Sequence, residues 1–493
     1  MGKRVLCFDF GASSGRAVIA HVENMTVQTE EVHRFKNRGV NVNGTLYWDI
    51  LSLYSEIKTG LVKAHRAGGF SSVGIDTWGV DYGIIDKNGR LMSNPVQYRD
   101  KRTEGMVQVA DKLVGLDRLY ALTGTQIMPI NTAFQLLAEK NERPYMLEYG
   151  AYILPTPDLL CYMLTGKVSA ELSIASTTQL LNPLTLDWSD EAIEALGLPR
   201  RLFPKIVKPG ESKGMLSEEL CQELNIPQAE VIAVCGHDTQ CAYYASPSSD
   251  DNPIIISCGT WSLVGTVIGK PVLTAESAEL GITNEVGVNG QINLLKNITG
   301  LWLVQETKAF LETLGQEYSY AELSALAREE EGFTAFIDTD ASEFSTAGNM
   351  PQRIKDYCIK TGQLPPENLG QVMRTIYLSL AMKYRLAIEQ LGRLTGNHPC
   401  TINMVGGGIR DTLLCQLTAD ICNMDVTAGP VEATVLGNAI IQLVRNGEIK
   451  DEICKCSVVE NTARELNELS LCKPQKNYDE EYKLFKNIIN IER

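Results

Sequence analysis

Two stretches far apart in this chain repeat one piece of architecture: a β-rich run, a tight turn of small residues, and a second β-rich run. The first stretch is Arg4–Phe10, then Gly11-Ala12-Ser13-Ser14-Gly15, then Arg16–Val22, with a third run over Val27–Phe35. The second is the glycine-punctuated run Ile254–Val264, with Gly259 at its turn. β-rich runs bounded by small residues read as hairpins. The likeness lies in architecture rather than in sequence, a weak internal duplication. It is what two halves clamping one nucleotide would look like. With 493 residues, two large α/β domains are the natural expectation. The run Ser246-Pro247-Ser248-Ser249-Asp250-Asp251-Asn252-Pro253 is the clearest turn-rich break, which sets the expected units at 1–245 and 246–493.

The remaining pattern is α/β grammar. Trp48–Ala67 reads as a helix with Leu51, Leu53, Tyr54, Ile57 and Leu61 on its apolar face. Val73–Ile85 reads as a buried strand region interrupted at Trp78-Gly79, and Asp86–Gly89 closes a hairpin. Val372–Leu391 carries a buried stripe of Val372, Ile376, Leu380, Tyr384, Ile388 and Leu391. A strand at Thr401–Val405 runs into Gly406-Gly407-Gly408, and Asp411 is placed to cap a helix ending at Cys422. A further helix lies between Pro430 and Asn446-Gly447.

A net charge of −15 argues against nucleic-acid and anionic-membrane surfaces, which need clustered Lys and Arg. It leaves phosphate ligands open, because backbone amides and a metal ion hold them on an acidic protein. The 13 scattered cysteines, and a start that runs straight into a strand, imply a reducing, cytoplasmic setting. Cys454-x-Cys456 has no partners at zinc spacing.

No Walker A pattern is present: Gly265–Lys270 has the wrong spacing and meets Pro271. Asp9 stands before the first glycine turn, where small residues let amides approach phosphate and a carboxylate can hold Mg²⁺; the alternative is an ordinary hairpin. Asp238, in Gly236-His237-Asp238-Thr239 after a strand, suits a group that accepts a hydroxyl proton during phosphoryl transfer; the alternative is a helix cap. Asp76-Thr77-Trp78-Gly79-Val80-Asp81 puts polar groups in a buried strand region, matched either to a polyhydroxyl sugar or to internal partners. Gly406–Gly408 would let a flat base lie against backbone or simply turn the chain. Cys258 reads as an inert buried thiol.

In order along the chain, Asp9–Arg16, Gly74–Asp81, Tyr98-Arg99-Asp100, Gly236–Thr239, Ser257–Leu263, Asn297–Trp302 and Gly429–Ala433 resemble the FGGY carbohydrate kinase family, from about Val5 to beyond Gln442. The resemblance implies an α/β protein of two actin-like, ribonuclease-H-like domains with ATP and sugar in the cleft between them. The first would be the sugar-binding side with the phosphate turn, and the second the nucleotide side. It is strongest to the branch that phosphorylates the 1-hydroxyl of L-rhamnulose in rhamnose catabolism. Ala12, where many members carry Thr, favours that branch, whereas Asp411 stands where the family often shows Asn. Carried over by position, Asp238 is the proton acceptor, and Gly79, His237, Asp238, Thr239 and Asn297 contact the sugar. Ala12, Ser13, Ser14, Gly15, Arg16, Thr260, Gln305 and Gly407 contact ATP, and Asp9 organises Mg²⁺ directly or through water. A small ketose and ATP are the implied partners of a monomer or homodimer. The alternatives are a kinase for L-fuculose or L-ribulose, and a non-catalytic actin-like sensor of sugar or nucleotide.

Overall fold

Strand β1 (Val5–Phe10) is apolar at every position but Asp9 and is buried along its length, as a central strand covered on both faces must be. The structure is a computed structural model describing residues 2–247, 253–450, 452–466 and 468–490. Of the turn-rich break, Ser248–Asn252 lie outside the described residues, as does the Cys454 side chain. Around β1 are β2 (Ser14–Glu23), β3 (Thr26–Lys36), β4 (Ser72–Thr77), β5 (Ser212–Met215) and β6 (Glu230–Ile232), in the spatial order β5-β6-β4-β1-β2-β3. β2 and β3 are antiparallel additions to β1, β4 and β6 are parallel ones, and β5 closes the edge antiparallel.

β7 (Ile254–Cys258), β8 (Trp261–Ile268), β9 (Ile292–Thr299), β10 (Thr401–Val405), β11 (Asp425–Ala428) and β12 (Ser470–Cys472) lie in the order β9-β8-β7-β10-β11-β12 of a second sheet. β8 pairs antiparallel with β7, β10 and β11 follow in parallel, and β12 is antiparallel. The duplication read from two turns therefore extends through six strands of each sheet. This is the ribonuclease-H-like arrangement, present twice.

Local signals explain most element ends. The helix expected from Trp48 begins at Ile50, because Trp48 ends a short strand and Asp49 caps the helix, accepting the Ser52 N–H at 3.1 Å. Its buried face is Ile50, Leu53, Ile57, Leu61 and Ala64, whereas Leu51 is 59% exposed. The helix Leu369–Thr395 buries all six residues of the expected stripe. Asp411 Oδ1 accepts the Leu413 and Leu414 N–H groups at the start of the helix Thr412–Cys422. Among the described residues no helix is long and apolar enough to cross a membrane.

The chain forms two compact units, one comprising Met1–Ala245, Val267–Leu294 and Ala433–Glu465, the other Ser246–Thr266, Leu295–Glu432 and Leu466–Arg493. The helix Ala433–Arg445 thus belongs with the first sheet. Gln442 Nε2 donates to the Leu6 carbonyl at 3.1 Å, and Ser72 Oγ donates to Gln442 Oε1 at 2.8 Å. The same helix packs on the short helix Asp238–Tyr244 with no room to spare: a methyl group on Gly437 would sit on the Cys241 carbonyl. Backbone cannot rotate away as a side chain can. Gly437→Ala is therefore expected to cost about 1–3 kcal/mol and to displace the helix Asp238–Tyr244, lowering the melting temperature. Unchanged melting would show that the two helices separate easily.

Candidate active site

In the first turn the Gly11 N–H donates to the Ser14 carbonyl at 2.8 Å, and Asn37 braces it, Nδ2 to the Gly11 carbonyl and N–H to the Ser13 carbonyl. The turn is accordingly tighter than the sequence implies: Ser14 and Gly15 already belong to β2. Gly15 is small because a Cβ there would run into the Phe35 ring. Ala12 and Ser13 are left at the tip. Arg16 lies opposite Asp9 in the ladder, and its Nε and Nη2 both donate to Asp9 Oδ2, at 2.9 and 2.7 Å.

On its other side Asp9 is in register with Asp76 of the parallel strand β4. Asp76 is fully buried; Asn438 Nδ2 donates to its Oδ2 at 2.6 Å, while Oδ1 has no hydrogen-bond partner. Burial, then the charge of Asp9, push its carboxyl well above the ordinary range. An orphaned buried oxygen beside a second carboxylate fits a divalent cation held by one or two carboxylates, waters and phosphates, which is how Mg²⁺ is ordinarily bound. Among the described residues no three His, Cys, Asp or Glu side chains form a complete metal cage.

The Gly79 segment divides in two. Asp81 belongs to the protein interior: Trp48 Nε1, Trp78 Nε1 and Gln135 Nε2 donate to its carboxylate at 2.6, 2.9 and 3.1 Å. Burial pushes it up to about 6, with those hydrogen bonds pulling the other way. Val80, at φ 68°, holds a conformation rare for a β-branched residue. It is pinned there by Thr177 Oγ1, which accepts its N–H at 3.1 Å, and by Thr132 Oγ1, which donates to its carbonyl at 2.6 Å. That strained, over-determined turn presents the Gly79 backbone.

Gly236–Thr239 lies beside this turn, since the Thr77 N–H donates to the Gly236 carbonyl at 2.8 Å. His237 is the N-cap residue of the helix Asp238–Tyr244, which puts Asp238 in its first turn. Asp238 is 30% exposed, and its Oδ1 accepts the Thr239 N–H at 2.6 Å. Burial pushes it up to about 6, the adjacent His237 lowers it and Asp9 raises it. His237 is buried with Nδ1 2.8 Å from Glu285 Oε2 and Nε2 3.5 Å from Asp238 Oδ1. Behind the loop, Glu171 accepts the Gly236 N–H at 2.8 Å as well as Ser173 N–H, Ser173 Oγ–H and Ile174 N–H.

In the second unit, Thr260 and Gln305 come together: Thr260 Oγ1 lies 3.2 Å from Gln305 Oε1. The Thr260 carbonyl accepts the Gly300 and Trp302 N–H groups, both at 3.1 Å, docking the start of the helix Trp302–Thr313 on the turn after β7. Asn297 is half-buried on β9. Cys258 is buried, and burial pushes its thiol up to about 11, as expected of an inert residue. The three glycines after β10 differ in role. Gly406 (φ 90°) and Gly408 leave no space for a Cβ against Cys258, whereas a Cβ on Gly407 meets nothing within 4 Å. Gly407→Ala is therefore expected to preserve the melting temperature, while Gly408→Ala lowers it. Equal thermal shifts in the two variants would contradict this division.

Asp9, Arg16, Gly79, His237, Asp238 and Thr239 thus share the first unit, and Thr260, Gln305, Gly407 and Asn297 the second. Sequence reasoning missed Glu285 and Glu171, the two buried carboxylates that hold the Asp238 loop.

Two sheets of one topology, each with a small-residue turn between its first two strands, make an actin-like α/β framework. The profile "FGGY family of carbohydrate kinases, N-terminal domain" matches residues 4–244 and the corresponding C-terminal domain matches residues 254–445. The chain belongs to the FGGY family of carbohydrate kinases. In particular, it is 42% identical over 450 residues to the rhamnulokinase of Enterococcus faecalis, covering 90% of each chain. It is 41% identical over 452 residues to that of Bacteroides thetaiotaomicron, covering 92% of each. Among solved structures it resembles gluconate kinase from Lactobacillus acidophilus (TM-score 0.77, 15% identity, 100% of this chain and 97% of that one). Plasmodium falciparum glycerol kinase with ADP gives a TM-score of 0.75 at 15% identity, with the same coverage. At that identity these two likenesses concern the fold.

Proposed function

We propose that this chain transfers the γ-phosphoryl group of ATP to the 1-hydroxyl of L-rhamnulose, giving L-rhamnulose 1-phosphate and ADP, in the cytoplasm. The observation that carries the chemistry is Asp238, a part-exposed carboxylate at a helix start, poised near 6. A base in that range is ionised at neutral pH yet basic enough to take a proton late in transfer. The O1–P bond forms as the bond from γ-phosphorus to the β,γ-bridging oxygen breaks. The hydroxyl proton passes to Asp238, and ADP leaves with the bond's electron pair. His237, Thr239, the Gly79 backbone and Asn297 orient the ketose. The Ala12–Arg16 turn, Thr260, Gln305 and Gly407 take the nucleotide. Mg²⁺, when bound, neutralises charge on the β- and γ-phosphates, and Asp9 with Asp76 would hold its water shell. The substrate is supported by the rhamnulokinase relatives at about two-fifths identity.

The test is ADP release from Mg-ATP with L-rhamnulose, L-fuculose, L-ribulose and L-rhamnose. Strong preference for L-rhamnulose is expected; preference for another ketose would reassign the substrate, and no stimulation by any sugar would remove the kinase reading. Asp9→Ala is expected to raise the Mg²⁺ and Mg-ATP requirement severalfold more than the KM for ketose. An unchanged Mg²⁺ dependence would count against its assigned role.

A further inference from the structure

The Asp238 loop has a supporting carboxylate that no motif includes. Glu285 lies on the strand Thr283–Val286 and is buried. Its Oε2 meets His237 Nδ1 at 2.8 Å and accepts from Gln240 Nε2 at 2.6 Å. Gln240 is held in turn by Asn293, whose Nδ2 donates to Gln240 Oε1. A carboxylate can only accept, so Nδ1 carries a proton and donates. This turns Nε2 toward Asp238 Oδ1, at 3.5 Å. The order carboxylate, imidazole, reacting group is the geometry by which a buried acid fixes the tautomer and direction of a histidine.

We propose that Glu285 is a positioning residue for phosphoryl transfer: by gripping Nδ1 it fixes the His237 ring with Nε2 facing the Asp238 carboxylate, and so sets the orientation of the base and the charge beside it. The proposal rests on the reading of Asp238 as that base. The charges around the pair come from several elements. Glu171 lies behind His237, and Asp9 of β1 and Asp76 of β4 lie on the Asp238 side. Arg445, the one charged residue of the packed helix Ala433–Arg445, pairs with Glu230 instead. Arg16 of β2 is bound to Asp9 and offsets part of its charge, so the His237 ring is the cation nearest Asp238.

Burial alone would strip the His237 proton, but the charge and hydrogen bond of Glu285, together with the charges of Asp238 and Glu171, more than offset it and bring the group up to about 9. Removing the Glu285 charge takes away the largest of the influences that hold the His237 proton, and with it the positive charge that faces Asp238. The base then holds its proton more tightly, and the acidic limb of the pH–kcat/KM profile moves upward. An opposite charge at such distances is worth about 1–3 pH units, so Glu285→Gln should lose roughly tenfold or more activity at pH 7 and recover part of it at pH 8 to 9.

Two measurements test this. With only five histidines in the chain, imidazole ¹H–¹⁵N spectra of ¹⁵N-histidine-labelled wild-type protein, with His237 assigned by its loss in His237→Gln, report the ring directly. A His237 that stays doubly protonated through pH 8 is expected; a neutral ring at pH 7 overturns the proposal, whether or not any variant folds. The second is the pH profile of wild type, Glu285→Gln and Glu285→Asp. An upward shift of the acidic limb in Glu285→Gln, with the limb restored toward wild type in Glu285→Asp, is expected. A profile lowered in height with its limb unmoved marks a merely structural role and overturns the proposal. Asp238→Ala is run beside them: if it keeps substantial turnover, the failure belongs to the base assignment and not to Glu285.

Discussion

Asp238→Ala is expected to lower kcat by about 10²–10⁴-fold, the ordinary worth of a general base, and to leave the fold in place. The helix Asp238–Tyr244 loses one first-turn carboxylate, worth about 0.3–1 kcal/mol, but keeps its packing on the helix Ala433–Arg445. Turnover at saturating ketose and Mg-ATP, measured with melting temperature, separates the two effects. In the wild-type enzyme the raised Asp238 value has a definite sign. With Asp238 as the proposed base the active form is the deprotonated one, so kcat/KM should be flat above the pH set by a group near 6 and fall about tenfold per unit below it. Asp238→Asn should lose activity to the same degree, with its size and most hydrogen bonds kept. Retention of more than about a tenth of wild-type turnover in either variant, given the usual range for a base, would remove Asp238 from the chemistry.

The second large effect concerns stability. Lys213 is buried with its Nζ donating to Asp158 Oδ1 at 2.5 Å and to Ser169 Oγ at 3.1 Å. The Asp158 carboxylate also accepts the Glu171 N–H, at 3.1 and 3.0 Å from its two oxygens. Lys213→Met strands that carboxylate without a counter-charge, and breaking a buried pair from one side costs about 3–5 kcal/mol. Replacing both partners by apolar residues is far milder, so Lys213→Met/Asp158→Leu should recover much of the loss. Denaturant unfolding, followed in the transition of the first unit, reads both. A single variant that costs under about 1 kcal/mol would place this pair with ordinary surface ion pairs. Because Glu171 also takes the Gly236 N–H, the single variant should also reduce activity.

What the sequence discloses of this molecule is mostly what is local. Thr401–Val405 and Thr412–Cys422 are bounded where the capping Asp411 and the strand pattern put them. The Leu369–Thr395 stripe follows from helical spacing. Asp81 is different: beside Gly79 it reads equally as a sugar contact, and only the fold brings Trp48 and Gln135 to it. Glu285 is missed because its partner is 48 residues away in sequence; the available signal is a lone acid within the β-rich run Ile282–Val286. Asn438 and Gln442 sit four apart among the buried, mostly apolar residues of their helix, which announces polar partners without naming Asp76 or Leu6.

The placement of Ala433–Glu465 with the first sheet also bears on how the protein is made. A nascent chain that has reached Ala245 already contains every strand of that sheet, yet lacks the helix whose Gln442 and Asn438 satisfy Ser72, the Leu6 carbonyl and Asp76. It also lacks Thr462, whose Oγ1 accepts the Val27 N–H at 2.8 Å. At the usual pace of a ribosome, those residues arrive roughly ten to forty seconds later. Through that interval β1 and β4 are uncovered where the late helix will lie. The first sheet, although synthesised first, is covered only after most of the second unit has been made, and the newborn enzyme depends for that time on whatever shields an open sheet from its neighbours.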